Sequence, residues 1–206
     1  MSCLGRKNVY ADNMSKNDNT VNIKNETRRY HHGDLRAALI EAGLEELRTK
    51  APEEVSLREI ARKAGVSATA VYRHFPDKAA LLGALCTIGG ERMDAAFRAA
   101  MAGAPDERAA FEAMGRAYVR FALANPSLFR MLMTHRLEQG MPWNARLGRV
   151  AQALSGLMPA HASEEDRQVR QLQAWALVHG LAMLMLDGQV PVDEALIDRA
   201  VTSGFV

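Results

Sequence analysis

The chain has 206 residues, of which 48% are hydrophobic and 24% are charged, values typical of a soluble protein with a buried core. Its length allows one globular domain or two small ones. Residues 1–80 carry 14 Lys and Arg against 11 Asp and Glu (+3), whereas residues 81–206 carry 12 against 13 (−1). This distribution suits contact with nucleic acid at the N-terminal end, and drift in composition explains it equally well. The most apolar run, Ala174–Leu186, is interrupted by His179 and falls short of the roughly 20 residues that a membrane span needs, so we predict no membrane partner.

The cysteines and the N-terminal segment bear on the compartment. Cys3 and Cys86 offer no metal-ligand spacing, which suits a reducing cytoplasm. We therefore predict a cytoplasmic protein without a metal or a cofactor. Residues 1–27 hold six asparagines and scattered charge without apolar periodicity, which predicts a disordered tail, and Met14 is an alternative start.

From Arg28 onward the apolar residues recur at helical spacing, and no useful length alternates with the period of a strand. We predict an all-α fold of about nine helices, with a DNA-binding domain at 28–80 and a ligand-binding and dimerisation helical bundle at 81–206. The predicted helices are Leu35–Arg48, Ser56–Gly65, Ala68–His74, Asp77–Met101, Asp106–Asn125, Ser127–Arg136, Trp143–Leu157, Glu164–Leu186 and Asp193–Ser203.

Several helix starts carry capping signals. Asp34, Ser67 and Asp77 each precede an apolar-periodic segment, where a short polar side chain can accept a bond from a free backbone N–H. Ser56 with Glu59 three residues later predicts a capping box at the second helix.

The second and third helices are short and are joined by Ala64–Val66. A central glycine, Gly65, can adopt the left-handed conformation that turns the chain, and the apolar Ile60, Ala61 and Val71 would pack the two helices together. This spacing predicts a helix-turn-helix, and an ordinary helical hairpin remains the alternative.

The N-terminal end of the third helix offers a small surface to base edges in a major groove. Thr69 can hydrogen-bond a base, and the methyl groups of Ala68 and Ala70 can meet a thymine methyl. The polar and basic residues around them are placed to hold phosphates. The residues predicted to contact DNA are Ser56, Arg58, Ser67, Ala68, Thr69, Ala70, Tyr72, Arg73, His74 and Lys78.

The runs Ser56–Ser67 (SLREIARKAGVS) and Val71–Lys78 (VYRHFPDK) closely resemble the tetracycline-repressor (TetR) family of bacterial transcriptional regulators. The family pattern I-A-x-x-A-G-V-S, then Y-x-H-F and a lysine three residues on, is matched at each position. The resemblance is specific over about residues 30–85. Further along, Trp175–Gly180 is similar to the Trp-x3-His-Gly signature of one C-terminal domain type.

The resemblance implies a homodimer, because the last two long helices of each family member form a four-helix interface. Those helices would be Glu164–Leu186 and Asp193–Ser203. Two-fold symmetry then presents two recognition helices to a palindromic operator in double-stranded DNA. The residues expected at this interface are Leu172, Leu181, Leu184, Met185, Leu196 and Ala200.

The resemblance also implies that the C-terminal domain holds a small, mostly apolar effector whose binding moves the fourth helix and releases DNA. The candidate lining residues are Phe111, Met114, Tyr118, Phe121, Met131, Met133, Trp175, His179 and Met183. Methionines and aromatic residues at helical spacing also fit a plain core, and His179 also fits a histidine satisfied by a neighbouring group.

The sequence contains no glycine-rich phosphate loop, nucleophile elbow or zinc-protease motif, so we do not expect an enzyme. A helical module that binds protein rather than DNA is the main rival. An activator, or a regulator without a small ligand, remains open within the family, although repression is the commoner mode for such chains.

Overall fold

The computed structural model describes residues 35–138, 157 and 161–204, and every regular element in these ranges is helical. This confirms the all-α prediction. The predicted tail, the Asp34 cap and all of the predicted helix Trp143–Leu157 except Leu157 lie outside the described residues. Within them there are eight α-helices, with a 3-10 turn at Pro52–Glu54 between the first two. The helices are α1 (Leu35–Glu46), α2 (Leu57–Lys63), α3 (Ala68–Tyr72), α4 (Lys78–Met101), α5 (Glu107–Ala124), α6 (Pro126–Glu138), α7 (Glu164–Leu186) and α8 (Glu194–Gly204).

Short polar side chains cap five of these helices at their N-termini. Ser67 accepts a bond from the Ala70 N–H, and Asp77 accepts one from the Ala80 N–H at 2.7 Å, which confirms both predicted caps. Asp106, Ser163 and Asp193 cap α5, α7 and α8 in the same way. Each cap satisfies a backbone donor that the first turn of a helix leaves free.

The predicted capping box at α2 is wrong. Ser56 stands at the N-cap position in an extended conformation, but its side chain makes no capping bond. The Glu59 carboxylate instead accepts a hydrogen bond from Lys50 Nζ at 2.5 Å. In a capping box the same carboxylate would accept from an uncharged backbone N–H, whereas the Lys50 ammonium adds a full positive charge, so the tertiary contact prevails.

Two predicted boundaries shift for simple reasons. The backbone bonds from His74 N and Phe75 N to Val71 O, both 2.9 Å, continue the turn of α3 beyond its last helical residue, Tyr72. Pro126 ends no helix itself but begins α6, since a proline in the first turn lacks only an N–H that would have no partner there.

The buried side chains form two clusters. The first holds α1, α2 and α3 together with the N-terminal half of α4, and three residues of α6 (Leu128, Met131 and Leu132) complete it. The second is built by the C-terminal half of α4 with α5, α7 and α8, and Phe129 of α6 belongs to it. Neighbouring residues of α6 therefore point into different cores.

The helix α4 contributes to both clusters. Leu81 and Leu85 are fully buried in the first, and Met93 and Phe97 lie in the second. The glycine pair in its middle does not interrupt it, as predicted. Gly89 marks the close crossing of α4 and α6, because an added Cβ there would meet Leu128 Cδ1 at 2.7 Å. Among the described helices, none combines the length and the apolar character needed to cross a membrane.

Candidate nucleic-acid interface and apolar cavity

The turn between α2 and α3 has the geometry of a Schellman motif. Gly65 has a φ of +68°, its N–H bonds to Arg62 O at 3.2 Å, and the Val66 N–H bonds to Ala61 O at 3.0 Å. These two bonds satisfy carbonyls at the end of α2 and redirect the chain into α3. An L side chain rarely adopts this φ, so the glycine is required by the turn itself.

The third helix is anchored by buried Val71 and by buried Phe75 just after its end, and most of its other residues are exposed. Val71 and Phe75 are almost completely buried against α1 and α2, and the Arg36 guanidinium lies 5.3 Å from the centre of the Phe75 ring. Thr69 is exposed, and Tyr72 keeps 49% of its surface in solvent although it is aromatic. This arrangement presents the small N-terminal end of α3 on a rigid support.

The ten residues predicted to contact DNA are all at least partly accessible. Ser56, Ala70 and Lys78 are half-buried, and the Lys78 ammonium donates to the carbonyl oxygen of Glu53. The exposed ones are Arg58, Ser67, Ala68, Thr69, Tyr72, Arg73 and His74. Within the described part of the chain no ion pair occupies Arg58 or Arg73, so both guanidinium groups are available to phosphates.

The helices of the first cluster are also joined by ion pairs to a buried carboxylate. Glu46 near the end of α1 is 2% exposed and forms ion pairs with Lys50 and Lys63. Hydrogen bonds from both ammonium groups hold the pKa of Glu46 below its ordinary value, against the effect of burial. The pair with Lys63 ties α1 to the end of α2. The sequence signal was its position seven residues after Leu39, on the buried face of α1.

A cavity lies between α4, α5 and α7, and its volume of about 320 Å³ includes its opening to solvent. Four of the predicted ligand residues line it: Phe111, Met114, Tyr118 and Trp175. The sequence prediction missed the other four lining residues, which are Phe97, Gly115, Ala174 and Val178.

The remaining predicted ligand residues lie outside this lining. Met131 is buried in the first cluster, beside α1 to α3 rather than in the C-terminal core. Phe121 and Met133 are half-buried between the two clusters, and Met183 packs against the second. His179 does not line the cavity, but its ring contacts the lining residues Tyr118 and Trp175.

A chain of hydrogen bonds joins three ring side chains beside the cavity. The Trp175 Nε1–H donates to the Tyr118 hydroxyl oxygen at 3.2 Å, and the Tyr118 hydroxyl is 2.9 Å from His179 Nδ1. The Tyr118 hydroxyl accepts from the indole, which is only a donor, and it also lies 3.8 Å from Met133 Sδ. A neutral imidazole can take either role at Nδ1, as acceptor or as donor. Burial lowers the pKa of His179, which favours this neutral form.

One face of α7 is apolar and exposed. Val169, Leu172 and Leu184 keep 49%, 44% and 41% of their surfaces in solvent, and they stand at helical spacing along one stripe with Ala176 and Gly180. An added Cβ at Gly180 would meet nothing within 4 Å. Of the other residues predicted for a dimer interface, Leu181, Leu196 and Ala200 are half-buried, and Met185 is buried within the second cluster.

Comparisons with known proteins agree with this architecture. The family of bacterial regulatory proteins called tetR matches residues 39–85, and the tetracyclin repressor-like C-terminal domain matches residues 111–204. A search of curated proteins gave no match.

Solved structures of similar proteins cover most of the chain. A protein of unknown function from Rhodococcus sp. RHA1 is 31% identical, with a TM-score of 0.71, over 86% of this chain and 95% of that one. A tetR-family transcriptional regulator from Streptomyces coelicolor is 26% identical, with a TM-score of 0.64, over 82% and 78%. A TetR-family regulator from Marinobacter aquaeolei VT8 shares the fold at 20% identity, with a TM-score of 0.62, over 83% and 93%.

The capped recognition helix, its glycine turn and the second helical core define a DNA-binding transcriptional regulator with a helix-turn-helix. The chain belongs to the tetR family of bacterial regulatory proteins.

Proposed function

We propose that this regulator is a homodimeric repressor that holds a palindromic operator and leaves it when a small molecule enters the C-terminal core. The observation that carries the DNA part is the exposed N-terminal end of α3, where Thr69 is accessible above the buried Val71 and Phe75. A helix mounted in this way offers side chains to base edges, while Arg58 and Arg73 meet phosphates.

The dimer part is supported by the apolar stripe of α7. A stripe of exposed Val and Leu on one helix is costly in water, and a second copy of the same stripe would cover it with two-fold symmetry. The half-buried Leu181, Leu196 and Ala200 flank the surface in this proposal. Met185 is left out of it, because its side chain is already buried in its own protomer.

The effector part is supported by the cavity beside α4, and the Trp-x3-His-Gly subgroup belongs to the same proposal. In that subgroup assignment, Trp175 and His179 are the signature residues, and both take part in the hydrogen bonds to Tyr118. The signature would then serve to join α7 to α5 next to the effector.

The first experiment is selection of bound fragments from the source genome, followed by titration of the best fragment at two salt concentrations. We expect a palindrome with half-sites about one helical turn (~34–36 Å) or a multiple apart. Its affinity should fall steeply with salt, by a slope of about −0.9 for each phosphate contacted. Sequence-independent binding without a salt slope would instead favour a protein-binding module.

A matched pair of variants tests the recognition helix. Thr69→Ala should loosen base preference at one operator position by about 1 kcal/mol and leave binding to random DNA almost unchanged. Thr87→Ala, at an exposed position of α4, removes the same groups outside the residues predicted to contact DNA and should leave both affinities as they were. Equal losses of Thr69→Ala on operator and random DNA would contradict the assignment.

A further inference from the structure

The wall of the cavity carries almost no polar surface. None of its eight lining residues is charged, and four of them are aromatic: Phe97, Phe111, Tyr118 and Trp175. The rings of Phe97 and Tyr118 are stacked, with centroids 6.2 Å apart and planes inclined by 23°. Flat rings at this spacing match the offset geometry in which aromatic groups attract one another.

The polar hydrogens of the lining side chains are already engaged. The Trp175 N–H donates to the Tyr118 hydroxyl, and that hydroxyl is hydrogen-bonded to His179 Nδ1. A molecule in the cavity therefore meets ring faces, a thioether and aliphatic carbon, while the polar atoms satisfy one another. A ligand with a charge or a strong donor would lose its water and gain no partner there.

We propose that the effector is an uncharged aromatic molecule of one or two rings, held by stacking and shape without an ion pair. This inference rests on the proposed function, because it names the effector of the same regulator. The volume of about 320 Å³ includes open solvent and is therefore an upper bound on the space for a ligand, which limits the effector to one or two rings. Gly115 and Ala174 leave space in the wall, since they are its smallest residues.

The test uses naphthalene and 2-naphthoate, which share a ring system and differ by one carboxylate. Trp143→Phe leaves Trp175 as the sole tryptophan, so its fluorescence reports binding at the cavity wall. We expect naphthalene to quench this emission saturably, and 2-naphthoate to bind at least about a hundredfold more weakly because its carboxylate would be buried unpaired. Binding of 2-naphthoate within tenfold of naphthalene overturns the inference, and so does equal competition by n-decane, which has the same number of carbons and no ring.

A cavity-filling variant locates the site. Ala174→Leu adds three carbons at the wall of the cavity and should weaken the binding of naphthalene at least about tenfold. Ala99→Leu adds the same carbons at an exposed position of α4 and should change nothing. Undiminished binding to Ala174→Leu overturns the assignment, and the ligand pair above decides the chemistry even where this variant folds poorly.

Titration of the selected operator without any probe keeps the two proposals apart. A protein that binds the palindrome but not naphthalene refutes the inference and leaves the regulator intact. One that binds naphthalene in the cavity but no palindrome supports the cavity's chemistry and refutes the proposed function. Release of the operator by naphthalene, and not by 2-naphthoate, supports both.

Discussion

Removal of one hydroxyl group from Tyr118 should destabilise the protein without touching the DNA surface. The Tyr118→Phe change deletes both the acceptor of the Trp175 N–H and the partner of His179 Nδ1. A hydrogen bond contributes about 0.5–1.5 kcal/mol net, so two of them are worth about 1–3 kcal/mol. Because Trp175 and His179 are only half-buried, water can replace part of the loss, and we expect a decrease of about 2 kcal/mol in the free energy of unfolding.

Tyr72→Phe is the matched control, because it removes the same hydroxyl from an exposed tyrosine of α3. Its unfolding free energy should be unchanged, and its affinity for operator and random DNA should fall together by about 0.5–1.5 kcal/mol, the worth of one phosphate bond. Tyr118→Phe should instead lower the free energy of unfolding and leave the affinities for operator and random DNA unchanged.

Urea titration at a fixed protein concentration measures the first effect, since the stability of a dimer depends on concentration. With a slope of about 2 kcal/mol per molar urea, the midpoint of Tyr118→Phe should fall by about 1 M with the slope retained. Equal midpoints for the two phenylalanine variants would refute the hydrogen-bonded chain of Trp175, Tyr118 and His179.

Three further variants test other parts of the structure. Leu184→Asp puts a carboxylate on the apolar stripe of α7 and should give monomers in sedimentation. The control Ala99→Asp, at an exposed position of α4, should remain dimeric. A dimeric Leu184→Asp variant would place the interface elsewhere. Glu46→Gln should lower the free energy of unfolding by about 1–3 kcal/mol through the loss of charge-assisted bonds, and an unchanged urea midpoint would contradict that role. Burial lowers the pKa of His179 in the folded protein, so below the ordinary value near 6.5 the unfolded chain binds more protons than the folded one and stability is lost as the pH falls. His179→Gln should therefore lose less stability than the unmodified protein between pH 7.5 and 5.5. An equal loss in the two proteins would refute this linkage.

The features that the sequence predicted well are governed by neighbouring residues. Ser67 and Asp77 cap their helices through bonds that span three residues, and Gly65 turns the chain through its own φ. The box of Ser56 and Glu59 has the same local pattern, yet Lys50, which is nine residues from Glu59, forms the stronger bond. Local capping rules fail where a charged side chain from another turn competes.

The cavity could be predicted only in part, because helical periodicity identifies the buried face of one helix and not the helix that packs against it. The apolar stripe of α5 correctly predicted Phe111, Met114 and Tyr118 as lining residues of the cavity. Phe97 and Ala174 became lining residues through the crossings of α4 and α7 with α5, which no spacing within one helix reveals. Ala174 belongs to the most apolar run of the sequence, but no pattern within one helix shows that a small residue at this position opens space beside its neighbours.

The same crossings decide how a molecule in the cavity could act on DNA. The helix α4 is unbroken over 24 residues, about 36 Å, and Phe97 at one end lines the cavity while Leu81 and Leu85 are packed in the helix-turn-helix core. Arg92 of α4 forms an ion pair with Glu41 of α1 and donates to both of its carboxylate oxygens, at 2.5 and 2.7 Å. Packed cores resist continuous deformation, so a ligand that displaces Phe97 acts on the position of α4 against α1 rather than on a loose loop. A preference of about 1.4 kcal/mol for the displaced arrangement is enough to weaken DNA tenfold, an amount that stacking of a single buried ring can supply.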